Sequence, residues 1–388
     1  MQHRNTLLHD ILKPMPWGAF DRLVDKHRAD KHVRRLSTKE QLIALLHAQL
    51  SGATSLREIE TTIRSHQARL YHLGLRAPKR STLADANRER PAEVFVELFQ
   101  TLLARAHKPL RRDARTAVRL IDSTSVSLSN LANSWASYEA HGAGAKMHVV
   151  YDPDAEVPVH FTVTAQRCSD IKTAKDMPIE AGATYAFDLG YYDFAWWAKL
   201  KAHNCRFVTR LKSHTRTRLV EERTSPADAA KRGRIVADRI VRLPSRLKGT
   251  RTHPLPGDLR EIHVIIETGK KLRIVSSDLT SPAETIADLY KTRWQIELFF
   301  RWVKQTLKIK HFLGRSENAV RIQIAVALIV FLLLRLAHAA QRNVHGLLTF
   351  TRLIRANLMH RRSLDRLLDP PSAIVQDQRQ LSLTLCQI

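Results

Sequence analysis

TAVRLIDSTSVSLS, residues 116–129, is where the pattern of the chain changes. Val118, Leu120 and Ile121 lead into Asp122, and alternation follows, which is the signature of a strand. Before this stretch the sequence reads as helix. After it, AKMHVVY (145–151) and VPVHFTVT (157–164) read as two further strands joined by the turn Asp152-Pro153-Asp154. A short helix over 170–177 comes next, then a strand in ATYAFD (183–188), a helix in DFAWWAKLKAH (193–203) and a strand in CRFVTRL (205–211). Three strands, helix, strand, helix, strand and later a long helix fit a ribonuclease-H-like mixed sheet with helices on both faces.

Upstream, residues 1–110 are expected to form an all-helical domain. Ser37 or Thr38 caps a helix over 38–50, with Glu40 in its first turn and Leu42, Ile43, Leu45 and Leu46 on the buried side. SLREIETTIRSH (55–66) and STLADANRER (81–90) follow as helices, in an arrangement that resembles a helix-turn-helix module. Lys79 and Arg80 precede the last helix and Arg88 lies on it, so they are candidate DNA contacts. The competing reading is a helical packing domain with a solvated basic face. Pro91 to Ala106 reads as a long apolar helix and KPLRRDAR (108–115) as a basic linker.

Downstream, residues 215–280 carry three strand patterns among frequent Pro, Gly and basic residues, which indicates a β-rich insertion lying along DNA. The main domain then spans 111–350, and 351–388 is a basic, short-patterned C-terminal segment. Ile324 to Leu334 is apolar, but Arg335 ends the run short of the ~20 residues a membrane span needs. A core helix over 318–340 is expected instead.

Composition points to the partner. Lys+Arg number 63 against Asp+Glu 37, for a net charge of +26 on 388 residues, while the 44% hydrophobic content is ordinary. Such an excess favours a polyanion, with nucleic acid ahead of a membrane surface. The N-terminus lacks the apolar region of a signal peptide, so a cytoplasmic, nucleoid-associated protein is expected. Cys168, Cys205 and Cys386 are scattered, and His141 and His148 lack helical zinc spacing, so neither disulfides nor a zinc site are expected.

YKTRWQIELFFRWVK (290–304) holds the most specific pattern, Y-x2-R-x3-E-x6-K. On one continuous helix at about 100° per residue, Tyr290, Arg293, Glu297 and Lys304 fall within roughly 60° of one another. Arg301 adds a further cation. Ile296, Phe299 and Val303 point the other way. A carboxylate among phosphate-seeking cations suggests a metal ligand beside a nucleic-acid backbone; a buried helix with a snorkelling polar edge is the bland alternative. Asp122 and Asp188 each end an apolar strand. The expected fold brings both to the centre of the sheet, with Glu297 approaching from the helix. Converging carboxylates need cations, and hard oxygen ligands select magnesium, with manganese able to replace it. Asp170 and Asp193 are the rivals of Asp188, and Asp193 reads better as a helix cap.

These motifs make the chain resemble a DDE transposase of the insertion-sequence-four family over nearly its whole length. The signature of Tyr290, Arg293, Glu297 and Lys304 is met without a gap, and Asp188-Leu189-Gly190-Tyr191 is similar to the segment around the family's second acid. The resemblance implies cut-and-paste transposition with magnesium held by Asp122, Asp188 and Glu297. It implies DNA phosphates held by Tyr290, Arg293 and Lys304, and a homodimer pairing two element ends on double-stranded DNA. Hairpin-forming relatives stack a flipped base on an insertion-domain Trp; residues 215–292 contain no Trp and no Phe. The alternatives are a nuclease of the same fold without strand transfer, and a repressor with an inactive core.

Overall fold

A computed structural model describes residues 5–110, 117–127, 144–223, 235–246, 252–307, 313–314, 316–341, 346–361, 363–364 and 367. Helices α1 (Leu7–Leu12), α2 (Trp17–Lys26), α3 (Thr38–Ser51), α4 (Leu56–Ser65), α5 (Gln67–Leu70), α6 (Arg80–Glu89) and α7 (Ala92–Leu110) precede the first strand. Local chemistry sets their ends. Ser37 and Glu40 close a reciprocal capping box on α3, and Gly52, at φ 79°, ends it by returning its N–H to Ala48. Ser55 caps α4 by accepting from the Glu58 N–H. α7 runs past Ala106 and takes up the start of the expected linker; the rest of that linker lies outside the described residues, as do His141, Cys386 and most of the expected C-terminal segment.

The sheet is built from β1 (Val118–Ser127), β2 (Gly144–Asp152), β3 (Val157–Ala165), β4 (Thr184–Phe187), β5 (Arg206–Arg210), β6 (Arg218–Arg223), β7 (Ile235–Arg242), β8 (Asp258–Ile265) and β9 (Lys271–Ser276). Helix α8 (Asp170–Asp176) precedes β4, and α9 (Phe194–Ala202) connects β4 to β5. All nine strands form one sheet in the order β3-β2-β1-β4-β5-β9-β8-β7-β6. β1, β4 and β5 run parallel, and the other pairings are antiparallel. The segment expected as an insertion is β-rich, but it does not stand apart. β9 pairs antiparallel with β5, Val208 opposite Ser276, so β6–β9 prolong the central sheet.

Alternation sorts the β1 and β4 side chains onto two faces. Leu120 and Ala186 join a core that also contains the N-terminal helices and α12 (Glu317–Ala339). Ile121 and Phe187 join the opposite core, with Trp196 and Trp197 of α9. α12 is long and apolar enough to cross a membrane by composition, yet 89% of its apolar window is buried inside this fold. Helix α13 (Leu347–Asn357) packs Phe350 and Ile354 into the same core. The short-patterned sequence from residue 351 onward gives no sign of this helix.

The helix expected to carry Tyr290 through Lys304 is broken. It forms α10 (Ala283–Thr292) and α11 (Trp294–Thr306), with Arg293 between them. At the break, Arg293 donates its N–H to the Tyr290 carbonyl at 3.2 Å, and Ile296 donates to the Arg293 carbonyl at 3.2 Å. These are three-residue steps, tighter than the α-helical four, so the 100° register slips. Tyr290 turns with α10 into a core formed with Val208 and Ile262, while Ile296, Phe299 and Val303 of α11 enter the helical core.

Candidate active site

Parallel pairing of β1 with β4 sets Ile121 opposite Phe187. Asp122 is the next residue on β1 and Asp188 is the first residue after β4; adjacent strands lie about 4.8 Å apart. By alternation both acids belong to the face of Leu120 and Ala186, which is the face α11 packs on. The carboxyl end of parallel strands is the usual place for a ligand crevice in an open sheet.

Glu297 comes from the first turn of α11. It joins the strand acids through Arg293, whose guanidinium lies 2.7 Å from Glu297 and 3.6 Å from Asp122. Burial pushes the Asp122 carboxyl up to about 6; the charges of Asp188 and Glu297 push the same way, against the Ser123 N–H and Arg293. The charged form of Asp122 is therefore disfavoured, first by burial and then by its acidic neighbours. An open groove of about 430 Å³ fronts the cluster, lined by Asp122, Ser123, Thr124, Glu297, Phe300, Arg301, Lys304 and Gln305.

Mutually repelling carboxylates of this kind fit a divalent cation by donor type, since all supply hard oxygens. Among the described residues no three acidic, histidine or cysteine side chains already stand in ion-holding geometry. The cation between Asp122 and Glu297 here is the arginine.

The other expected contacts divide into two groups. Arg301 and Lys304 line the groove. Tyr290 is only 9% exposed, with the Arg210 and Arg293 guanidinium groups each 5.9 Å from its ring, so Tyr290 and Arg293 face inward. Lys79, Arg80 and Arg88 sit exposed on or beside α6 in the helical layer. There Arg88 pairs with Asp85 and Glu89, each at 2.9 Å, and Glu60 accepts from the Arg80 N–H at 3.0 Å.

The rival acids have other partners. Asp193 caps α9, accepting from the Trp196 N–H at 2.8 Å, and pairs with Lys175 at 2.6 Å. Asp170 accepts from the Ser123 hydroxyl at 2.7 Å and from Lys146 at 3.1 Å, with His148 Nδ1 at 3.5 Å. Ser123 in turn gives its N–H to Asp122 at 2.7 Å. This buttress was invisible in sequence, because strand pairing and α8 packing bring its members together. Only the Ser directly after Asp122 is a local signal. Gly190 lies against both groups: a Cβ there would sit 3.0 Å from Asp188 Oδ1 and 3.4 Å from Asp170 Oδ2.

Comparison with known proteins gives a match of residues 113–333 to the transposase DDE domain and of residues 3–76 to a domain of unknown function. "Putative transposase y4zB" of Sinorhizobium fredii is 40% identical over 295 residues, covering 76% of this chain and 82% of that protein. "Probable transposase for insertion sequence element IS5377" of Geobacillus stearothermophilus is 28% identical over 258 residues, 66% of each chain. A solved piggyBac transposase synaptic complex with hairpin DNA superposes at a TM-score of 0.47 with 13% identity, over 96% of this chain and 83% of that one, too distant to argue from. The DDE-domain match spans more than half of the chain and holds both strand acids and Glu297, so this chain belongs to the transposase DDE-domain family and is a DNA transposase.

Proposed function

We propose that the chain is a cut-and-paste transposase of the insertion-sequence-four family, with a ribonuclease-H-like core and Tyr290, Arg293, Glu297 and Lys304 as its signature. Asp122, Asp188 and Glu297 are the ligands of divalent ions, Mg²⁺ with Mn²⁺ able to replace it. When bound, such an ion pair neutralises charge at a phosphodiester and lowers the pKa of an attacking water or 3′-hydroxyl. The observation that carries this reading is the β1–β4 register: Ile121 opposite Phe187 sets Asp122 beside Asp188, and Arg293 ties Asp122 to Glu297.

Residues of this chain do the rest. Arg301 and Lys304 hold the phosphate backbone in the groove. Arg293 keeps Asp122 and Glu297 together against their repulsion, and turns to a DNA phosphate as cations relieve it. Lys79, Arg80 and Arg88 on the helical domain, residues 1–110, contact DNA away from the cut. Cleavage frees a 3′-hydroxyl at the element end, and that hydroxyl attacks the target phosphodiester. Two chains act together, one on each end.

Incubating the chain with its own element ends and Mg²⁺ tests this. Ends cut to a 3′-hydroxyl and joined to target are expected, and Asp122→Asn or Asp188→Asn should abolish both. Cutting without joining would reduce the enzyme to a nuclease. Cutting that survives both substitutions would remove these residues from the chemistry.

A further inference from the structure

Residues 28–35, between α2 and α3, read RADKHVRR. Arg28, Lys31, His32, Arg34 and Arg35 are all exposed, and Asp30 is the one acid in the stretch. That acid is occupied within the fold: its carboxylate accepts from the Thr38 N–H at 2.7 Å and from the Thr38 hydroxyl at 2.6 Å. None of the five basic side chains has an ion pair or hydrogen bond among the described residues. Other cations of the helical layer do. Lys26 and His27 share Glu97 at 2.7 and 2.9 Å, Arg64 pairs with Glu60 at 2.6 Å, and Arg88 lies 2.9 Å from both Asp85 and Glu89.

The loop is held in place. Ala29 and Leu36 are buried near its two ends. The buried Arg90 donates to the Leu36 carbonyl and lies 3.9 Å from Asp30. The Arg90 carbonyl accepts from Asn318 Nδ2 at 2.6 Å, in the first turn of α12. The exposed cations are thus anchored to the helix that supports α11. Arg28 and His32 have φ of 50° and 64°, in the left-handed region that Gly or Asn enters at less cost. Strain of this kind concentrates at functional sites. Crowded like charges also repel, and a polyanion brought to the loop relieves that repulsion.

Guanidinium and ammonium groups take phosphate oxygens without reading bases. An anionic membrane fits less well. Val33 is the exposed large apolar residue of the loop, whereas an interfacial segment needs a broad apolar face.

We propose that residues 28–35 form a phosphate-binding loop for duplex DNA, in which Arg28, Lys31, Arg34 and Arg35 hold the backbone outside the acid groove. This deepens the reading of the helical domain as a DNA-contacting layer and rests on it.

The test is binding of the full chain, in EDTA, to a fluorescent duplex of arbitrary sequence, read by anisotropy over a range of salt. The combined variant Arg28→Gln, Lys31→Gln, Arg34→Gln, Arg35→Gln should make the slope of log affinity against log salt shallower by about 3 to 4. Its unfolding midpoint should stay at the parent value, because the lost side chains have no partner in the fold. The variant Arg28→Lys, Arg34→Lys, Arg35→Lys keeps the charge and should keep the parent slope. A parent slope in the Gln variant overturns the proposal and leaves the DNA reading of the domain standing. If that variant instead loses binding to phosphatidylserine vesicles, the loop's partner is a membrane. A Lys variant that loses as much slope as the Gln variant also overturns it, since the loss would then come from the loop's shape. If the parent itself shows no salt-dependent binding to duplex DNA, the reading of the helical domain falls and takes the proposal with it.

Discussion

Helices α11 and α12 are neighbours in the chain and pack into the same core, yet they do opposite things. α12 is apolar on nearly every side, with each residue from Ile322 to Leu334 buried. α11 buries one stripe, Ile296, Phe299, Phe300 and Val303, and leaves Trp294, Leu298 and Arg301 exposed. The two meet through Phe331 of α12, whose ring lies 5.1 Å from both Phe299 and Trp302. On the proposed reading, scaffold and chemistry are thus divided between consecutive helices. The scaffold helix holds the other at the height where Glu297 reaches Arg293 and, through it, β1. By length and composition α12 passes as a membrane span, but α7, α3 and the sheet pack around it and bury it as a core helix.

The largest expected effect tests the chemical side. Glu297→Gln keeps the shape of α11 and removes a charge that is already repelled by Asp122. Strand cleavage should fall on the order of 10³-fold or more, as for removal of a reaction-centre group, with the unfolding midpoint nearly unchanged. Leu328→Ala is the reciprocal. Leu328 is 0% exposed, and its truncation should cost about 2–5 kcal/mol of stability. Cleavage per folded molecule should stay at the parent value. Denaturant melts and single-turnover cleavage on both variants would break the comparison if either crossed over.

That division explains what the sequence disclosed. Asp122 and Asp188 stand out in the sequence because each follows an apolar strand run, and Glu297 because a lone acid among cations on a helix is locally unusual; the fold brings Asp122 and Glu297 to one Arg293 guanidinium. The break at Arg293 was not legible, because it follows from where α10 and α11 each bury a stripe, into two different cores. The pairing of β9 with β5 joins residues that no periodicity relates. The contacts of Ser123, Asp170 and Lys146 were invisible for the same reason: they exist only once β1, β2 and α8 are stacked.

The next effect is smaller and depends on pH. Asp122 has a folded-state pKa of about 6, above the ordinary 3.8. The folded chain therefore holds this proton more tightly than the unfolded one. Its contribution to stability is fully present below pH 3.8 and is lost as pH rises through about 6. The loss is on the order of 1–3 kcal/mol. Asp122→Asn should abolish that part of the slope and leave the chain more stable than the parent at pH 8 in EDTA. Asp152, held down to about 2 by His107, Arg119 and backbone N–H groups, has the opposite sign and acts below this window. Substitutions in α12 should leave the slope intact. Urea midpoints at pH 5 and pH 8 measure the difference.

The smallest effect separates the helices most sharply. Ser316 caps α12 by accepting from the Ala319 N–H at 3.2 Å, and Ser316→Ala should cost about 1 kcal/mol. Arg293→Lys should cost a similar amount, because charge is kept while the fork that spans Glu297 at 2.7 Å and Asp122 at 3.6 Å is lost. An ammonium is a point charge and can serve one of those carboxylates at a time. Equal thermal cost should then come with unequal chemistry: unchanged cleavage for Ser316→Ala, and cleavage down by about 10- to 100-fold for Arg293→Lys. If both variants lost activity alike, α12 would be more than a support. If neither did, the guanidinium between the two acids would be an ordinary ion pair, and the division between the helices would rest on Glu297 alone.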